Sequence, residues 1–127
     1  MERKIILSKS APDPIGPYSQ AIQFGQLIFT SGQIALEPGT GNLIEGDVVV
    51  QTRQVLENLQ AVLEEAGSSM QRVIKTTIYL KNMSDFGRVN EIYGSYFEKS
   101  LPARSTVEVA RLPKDVLVEI DCIAAGE

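Results

Sequence analysis

The amino-acid sequence predicts an α+β fold with the element order β-β-β-α-β-α-β-β. Apolar residues recur at helical spacing in two segments, and short runs rich in β-branched residues lie before, between and after them. Strands grouped in this way favour one mixed β-sheet with both helices packed on a single face. The chain of 127 residues has no internal linker or low-complexity tract, so we predict a single domain over residues 1–127.

Three short strands are expected in the first third of the chain. Lys4–Leu7 is the first, and a loop that holds three of the six prolines separates it from the second. Ala21–Phe24 and Leu27–Ser31 lie on either side of Gly25-Gln26, which predicts a hairpin.

The first helix is expected over Asp47–Ala66. Asp47 can accept a hydrogen bond from a free backbone amide of the first turn, and Gly67 suits the left-handed position that ends a helix. The apolar stripe of this helix consists of Thr52, Val55, Leu56, Leu59, Val62, Leu63 and Ala66.

A strand and a second helix follow. Arg72–Lys81 is rich in β-branched residues, which predicts the strand, and Ser84 is the expected N-cap of the helix. Gly87 weakens the helix, so we expect that it permits a close approach by a neighbouring element. The core face of this helix is expected to hold Phe86, Val89, Tyr93 and Phe97.

The last two strands are expected to pair as a hairpin around Pro113-Lys114. In that register Glu108 would face Glu119, and Thr106 would face Asp121. One face of the hairpin would then carry Arg104, Thr106, Glu108, Glu119 and Asp121. Such a face is most often simply exposed to solvent, and the alternative is that it lines a ligand pocket. Apolar residues on the other side of these strands predict that a second copy of the chain covers that side.

The composition excludes several kinds of chemistry. The chain has no histidine and a single cysteine, Cys122, which removes His-based nucleophilic systems, His-based zinc sites and an internal disulfide. It has no glycine-rich nucleotide motif, so we expect no cofactor and no metal. The net charge of −4 and the scattered basic residues argue against nucleic-acid binding. We find no signal peptide and no membrane-spanning run, which predicts a cytoplasmic protein.

Four ordered motifs are similar to those of a known family. They are IGPYSQA (Ile15–Ala21), FTSGQI (Phe29–Ile34), VIKTTIYLKNMSDFGRVNEIYGSYF (Val73–Phe97) and PARSTVEVARLPKDVLVEI (Pro102–Ile120). Over nearly its whole length the chain resembles the RidA/YjgF family, the reactive intermediate deaminases, and within that family it is most similar to the deaminase-active branch.

The resemblance implies a chorismate-mutase-like fold and a homotrimer with pockets between the subunits. It also implies hydrolysis of short 2-imino acids or their enamine tautomers, such as 2-aminoacrylate, 2-iminopropanoate and 2-iminobutanoate. The products would be 2-keto acids and ammonia, and no metal or cofactor would take part. Because pyridoxal-phosphate enzymes such as threonine dehydratase release these intermediates, the resemblance implies a functional link to such enzymes.

The family's functional positions carry over to Tyr18, Ser31, Gly32, Asn90, Arg104, Thr106 and Glu119. On this resemblance Arg104 binds the substrate carboxylate through its planar guanidinium, and Glu119 orients the attacking water and takes its proton. Backbone groups near Thr106 would hold the imine nitrogen. Tyr18, Ser31 and Gly32 would shape the pocket wall and supply further hydrogen bonds.

Position 106 departs from the common family pattern. Many members have cysteine where this chain has Thr106. We expect activity to survive this change, because hydrolysis of an imine by water needs no covalent nucleophile. Cys122 lies on the opposite parity from Glu119, so it is not expected to replace the missing thiol.

Two other functions compete with the deaminase hypothesis. One is a non-catalytic regulatory trimer that binds a small carboxylate, such as a keto acid, through the same Arg104 pocket. The other is a ribonuclease or translation inhibitor, an activity reported for relatives, which the acidic net charge and the absence of histidine disfavour.

Overall fold

The computed structural model of the chain describes residues 1–126, and its element order is the predicted one. The strands are β1 (Arg3–Ile6), β2 (Ala21–Phe24), β3 (Leu27–Thr30), β4 (Val73–Leu80), β5 (Ala103–Glu108) and β6 (Val118–Ala125). The helices are α1 (Val48–Glu65) and α2 (Phe86–Phe97). None of the helices within residues 1–126 is long and apolar enough to cross a membrane.

The six strands form one mixed sheet in the order β1-β2-β3-β6-β4-β5. β4 and β5 are parallel, and every other neighbouring pair is antiparallel. The predicted hairpin between β2 and β3 is confirmed, with Gly25 at a φ of 62° in its turn. The predicted hairpin between β5 and β6 is wrong, because β4 lies between these two strands.

The connection between β5 and β6 has apolar anchors that carry it past β4. It contains a 3₁₀ turn at Pro113–Asp115, which includes two residues with positive φ. Leu112 and Val116 flank this turn and are buried in a small cluster against which Tyr79 of β4 packs. The segment therefore passes over the end of β4, so that β6 pairs with the edge of β4 opposite to β5.

Both helices pack on the same face of the sheet, as predicted, and enclose the main core. The buried stripe of α1 includes Val55, Leu56, Leu59, Val62 and Leu63. The strands contribute Ile28, Ile78, Leu80, Val118, Ile120 and Ala124. α2 contributes Val89, Ile92, Tyr93 and Phe97, whereas Phe86, expected on this face, is 38% exposed.

The ends of α1 agree with the sequence prediction, whereas the start of α2 does not. Val50 N donates to Asp47 Oδ1 at 3.1 Å, and Gly67 follows the helix with a φ of 78°. The expected cap at Ser84 is wrong, because a 3₁₀ turn over Met83–Asp85 delays the start of α2 to Phe86. A Cβ at Gly87 would meet no atom of residues 1–126 within 4 Å, so no close approach by this part of the chain explains that glycine.

The other face of the sheet exposes many apolar side chains. Strand register places Ile5, Phe24, Leu27, Phe29 and Val107 on this face, opposite to the helices. Ile5 is 60% exposed and Phe29 is 42% exposed. Exposed apolar side chains in such number on one sheet face are typical of a surface that another protein chain covers. We call it the open sheet face.

Candidate active site

The register of the sheet decides which of the predicted site residues share a face. Thr76 of β4 lies opposite Arg104 on one side and Cys122 on the other, whereas Tyr79 lies opposite Glu119. Residues three apart on a strand point to opposite faces. Arg104 is therefore on the face that carries the helices, and Glu119 is on the open sheet face. The expectation that one face holds both is wrong.

Glu119 borders a cavity of about 340 Å³ beside the N-terminal loop and the end of β3. The loop supplies Tyr18, and the segment after β3 supplies Ser31 and Gly32. The rest of the wall is largely apolar and includes Pro12, Pro14, Ile15, Ile34, Leu36 and Pro113. We call this cavity the Glu119 pocket. It brings together the predicted residues Tyr18, Ser31, Gly32 and Glu119 within one chain.

The side chain of Glu119 lies directly against the backbone of Gly32. A Cβ at position 32 would come within 2.8 Å of Glu119 Cδ and nearer still to Oε2. The φ of Gly32 is not in the left-handed region, so backbone conformation alone does not require glycine there. Glycine is required because its missing side chain leaves the space that the carboxylate fills.

The wall that carries Tyr18 and Ser31 is held in place by hydrogen bonds to the N-terminal loop. The side chain of Gln20 is buried, accepts from Ser8 N at 2.6 Å and donates to Ser8 O and Pro12 O. Ser31 Oγ donates to Ser19 O at 2.6 Å. The role of Gln20 is not apparent in the sequence, because a glutamine next to a loop gives no sign that it is buried.

The surroundings of Glu119 favour its protonated form. Partial burial, and then the negative charge of Asp121, raise the pKa of the Glu119 carboxyl above its usual value. Tyr79 Oη donates to Asp121 Oδ2 at 3.0 Å and so fixes that neighbouring charge. A carboxylate with a raised pKa is a stronger base toward a bound water molecule.

Arg104 lies in a second group of residues, which we call the Arg104 cluster. Its Nη1 donates to Asn90 Oδ1 at 2.7 Å. Its Cζ lies 4.9 Å from the ring centroid of Tyr93 and 5.4 Å from that of Phe86. Within residues 1–126 no carboxylate oxygen is within 4.0 Å of its guanidinium. The charge of Arg104 is therefore available to an anionic ligand.

Thr106 and Cys122 lie on the helix-bearing face, on the same side as Arg104. Thr106 pairs with Ile78, and its buried Oγ1 has no hydrogen-bond partner within the described chain. Cys122 is 3% exposed, and burial raises the pKa of its thiol to about 12. Cys122 and Glu119 thus point to opposite faces, as predicted. A buried thiol with so high a pKa is a poor nucleophile.

A single chain holds two clusters that point away from each other. The Glu119 pocket contains a carboxylate and an apolar wall, and the Arg104 cluster contains a cation and an amide. Within residues 1–126, no three or more Cys, Asp or Glu side chains are grouped so that they could hold a metal ion. Within one chain the guanidinium of Arg104 and the carboxylate of Glu119 therefore lie on opposite faces of the sheet.

Comparisons with known proteins define the family. The family described as Endoribonuclease L-PSP, which is the RidA/YjgF family, matches residues 8–126, and the chain belongs to it. A mouse protein named 2-iminobutanoate/2-iminopropanoate deaminase is 50% identical over 122 residues, which cover 96% of this chain and 90% of the mouse protein. A RutC family protein from Pyrococcus abyssi is 53% identical over 127 residues and covers 100% of both chains.

Solved structures confirm the fold. Escherichia coli TdcF, solved with bound serine, superposes with a TM-score of 0.92 at 44% identity and covers 98% of this chain and 99% of its own. The E. coli YjgF gene product gives a TM-score of 0.91 at 46% identity, with coverage of 96% and 98%. Two helices on one face of a mixed six-stranded sheet are thus the common architecture.

Proposed function

We propose that the protein is a deaminase that hydrolyses short 2-imino acids, or their 2-enamine tautomers, to 2-keto acids and ammonia. The observation that carries this proposal is the Glu119 pocket, where a carboxylate of raised pKa rests against Gly32 in a small, mostly apolar cavity. The mouse relative, 50% identical, bears the name of such a deaminase. The bound serine in TdcF supports a site for a ligand the size of an amino acid.

We propose that the working site lies between subunits of a homotrimer. The carboxylate of an imino acid is adjacent to its C=N bond, so Arg104 and Glu119 must approach the same small molecule. They point to opposite faces of one sheet, and only a neighbouring copy can supply the missing partner. The open sheet face, with Ile5 and Phe29 exposed, offers the apolar surface for such contact.

In this site Arg104 of one subunit binds the substrate carboxylate with charge-assisted hydrogen bonds, and Asn90 holds the guanidinium in place. Tyr18 and Ser31 of the neighbour line the reacting side, and backbone groups near Thr106 hold the imine nitrogen. Fixing both ends of the substrate places the C=N carbon beside the water that Glu119 orients.

The reaction adds water across the C=N bond and then expels ammonia. Glu119 takes a proton from the water as the new C–O bond forms and passes it to the imine nitrogen, which gives a carbinolamine. Glu119 then takes the hydroxyl proton and passes it to the amino group, while the C–N bond breaks, the oxygen becomes the carbonyl and ammonia leaves. These steps need no metal or cofactor. Pyridoxal-phosphate enzymes that eliminate water from amino acids would supply the substrate.

A coupled assay tests the proposal. A pyridoxal-phosphate enzyme generates 2-aminoacrylate or 2-iminobutanoate in situ, semicarbazide traps the imine, and the semicarbazone is followed by absorbance. The wild type is expected to suppress semicarbazone formation. The Arg104→Ala and Glu119→Ala variants are expected to leave it unchanged. Arg53→Ala and Glu65→Gln, both at exposed positions on α1, are matched controls that are expected to retain activity. A wild type that leaves the signal unchanged across several amino-acid sources would sink the proposal and favour a carboxylate-binding trimer.

The ribonuclease alternative is supported by the description of the matching family as Endoribonuclease L-PSP. A net charge of −4 is unfavourable for an RNA surface. RNA cleavage that survives repurification and persists in the Arg104→Ala and Glu119→Ala variants would support that alternative over the deaminase.

A further inference from the structure

Phe86 is the first residue of α2. Its side chain is 38% exposed. Asn90 and Tyr93 follow it by four and seven positions, so all three side chains lie along one face of α2. The side chain of Arg104, which comes from β5, contacts this face.

We propose that Phe86 and Tyr93 are positioning residues that hold the guanidinium of Arg104 against their rings in the orientation needed to bind a carboxylate. The inference rests on the proposed function, in which Arg104 is the carboxylate-binding group. It assigns to Phe86 and Tyr93 the role of supporting the guanidinium of Arg104, and it predicts that these rings influence the affinity for the substrate.

Aromatic partners suit an arginine that must remain free to bind an anion. A partly buried arginine is commonly paired with an acidic side chain, which neutralises the charge and occupies the N–H groups. Aromatic faces attract a cation through their quadrupole without placing a competing anion beside it. Arg104 has this kind of support, with one amide partner at Asn90 and no carboxylate within 4.0 Å in residues 1–126.

The two rings are fixed to different degrees. Tyr93 is 7% exposed, and its hydroxyl lies 2.8 Å from Thr76 Oγ1. Its ring also packs against Phe97 with the centroids 4.5 Å apart. Because Thr76 is the β4 partner of Arg104 in the sheet, the same strand pair fixes the ring and the arginine. Phe86 is held less firmly, so it is the ring that can be changed without disturbing the core.

The test compares Phe86→Leu with Phe86→Tyr, which keeps the aromatic ring. Met83→Leu, at a neighbouring residue that is also 38% exposed, is the matched control. Phe86→Leu is expected to raise KM for the imine about threefold to tenfold while kcat stays within about twofold, and to weaken pyruvate binding by the same factor in calorimetry. Phe86→Tyr and Met83→Leu are expected to match the wild type. If Phe86 only stabilised the fold, Phe86→Leu would lower the melting temperature without a selective rise in KM.

An NMR measurement separates this inference from the proposed function. The Hε proton of Arg104, assigned by its absence in Arg104→Lys, is expected to resonate upfield of the Hε of exposed Arg53 because of the ring currents. This shift should shrink in Phe86→Leu. A wild type that neither binds pyruvate nor hydrolyses imines would overturn the proposed function, while the Hε shift would still test the aromatic support. An Hε shift in the wild type equal to that of Arg53, or unchanged KM and pyruvate affinity in folded Phe86→Leu, would overturn the inference.

Discussion

The Glu119 pocket and the Arg104 cluster differ in what holds the charged side chain in place. Backbone packing fixes Glu119, because its carboxylate lies against Gly32 and the loop beside it is held by the buried Gln20. Side chains of a single helix fix Arg104, which has an amide and two rings around it. The pocket is concave and mostly apolar, whereas the cation of the cluster has no carboxylate within 4.0 Å in residues 1–126. The pocket supplies a base and the cluster supplies a group that can bind a carboxylate. For this reason we propose that the two work together across a subunit contact.

The largest expected effect comes from filling the space against which Glu119 rests. Gly32→Ala would place a methyl group where the carboxylate now lies, so the carboxylate must move. A displacement of about 1 Å at a reacting group can cost about 100-fold in rate, and we expect kcat/KM to fall by roughly that factor. Steady-state kinetics and thermal unfolding of the purified variant are the measurements.

Gly94→Ala is the matched control for this substitution. A Cβ at position 94 would meet no atom of the described residues 1–126 within 4 Å, and the residue lies within α2. Alanine there should stabilise the helix by about 0.5–1 kcal/mol and leave the kinetics unchanged. A Gly32→Ala variant as active as Gly94→Ala would contradict the assigned position of the Glu119 carboxylate.

A smaller effect is expected on the pH dependence. Glu119 must be ionised to accept a proton, so kcat/KM should fall as the pH drops through its pKa, which burial and Asp121 raise above the ordinary 4.5. Asp121→Asn removes one cause of that rise and should move the acid limb to lower pH, but not back to the ordinary value, because burial is the larger cause. The measurement is kcat/KM against pH for both proteins.

Linkage gives this pH prediction a second readout. Because the folded-state pKa of Glu119 is raised, the group contributes stability at low pH that is lost as the pH rises through that pKa. Glu119→Gln should therefore weaken the pH dependence of unfolding in this range. If Asp121→Asn does not move the pH at which kcat/KM falls on the acid side, a group other than Glu119 controls that fall.

The smallest expected effect is at position 106. Thr106→Cys introduces the residue that the family resemblance leads us to expect at this position, where the buried hydroxyl has no partner in the described chain. We expect kcat/KM to stay within about threefold, since cysteine behaves there as a small apolar side chain. A large gain in turnover would show that the thiol takes part in the chemistry.

Much of the fold follows from the sequence alone. The stripe of α1, its Asp47 cap and its Gly67 end are local features, and each is where the pattern predicts it. The error at β5 and β6 has a different origin. Alternation fixes which residues of one strand share a face, but it does not say which strand lies alongside. Insertion of β4 between them separates Arg104 and Glu119 by face, which no local pattern indicates.

The residues of the candidate site were predictable in identity but not in arrangement. Motif resemblance picked out Arg104 and Glu119, whereas their division between two faces depends on long-range strand order. The support of Arg104 by Phe86 was missed for a related reason. The periodicity of α2 placed Phe86 in the core, and only the packing of β5 beside the helix gives it another partner.

The most direct test of a site shared between subunits mixes two inactive variants. Arg104→Ala keeps Glu119, Glu119→Ala keeps Arg104, and each alone is expected to be inactive. If subunits exchange at random in a 1:1 mixture that is unfolded and refolded together, about 25% of the pockets between neighbours regain both groups. We predict about that fraction of wild-type activity in the refolded mixture and none in an unrefolded one. A refolded mixture that forms mixed oligomers by mass spectrometry, yet stays inactive, would contradict the account.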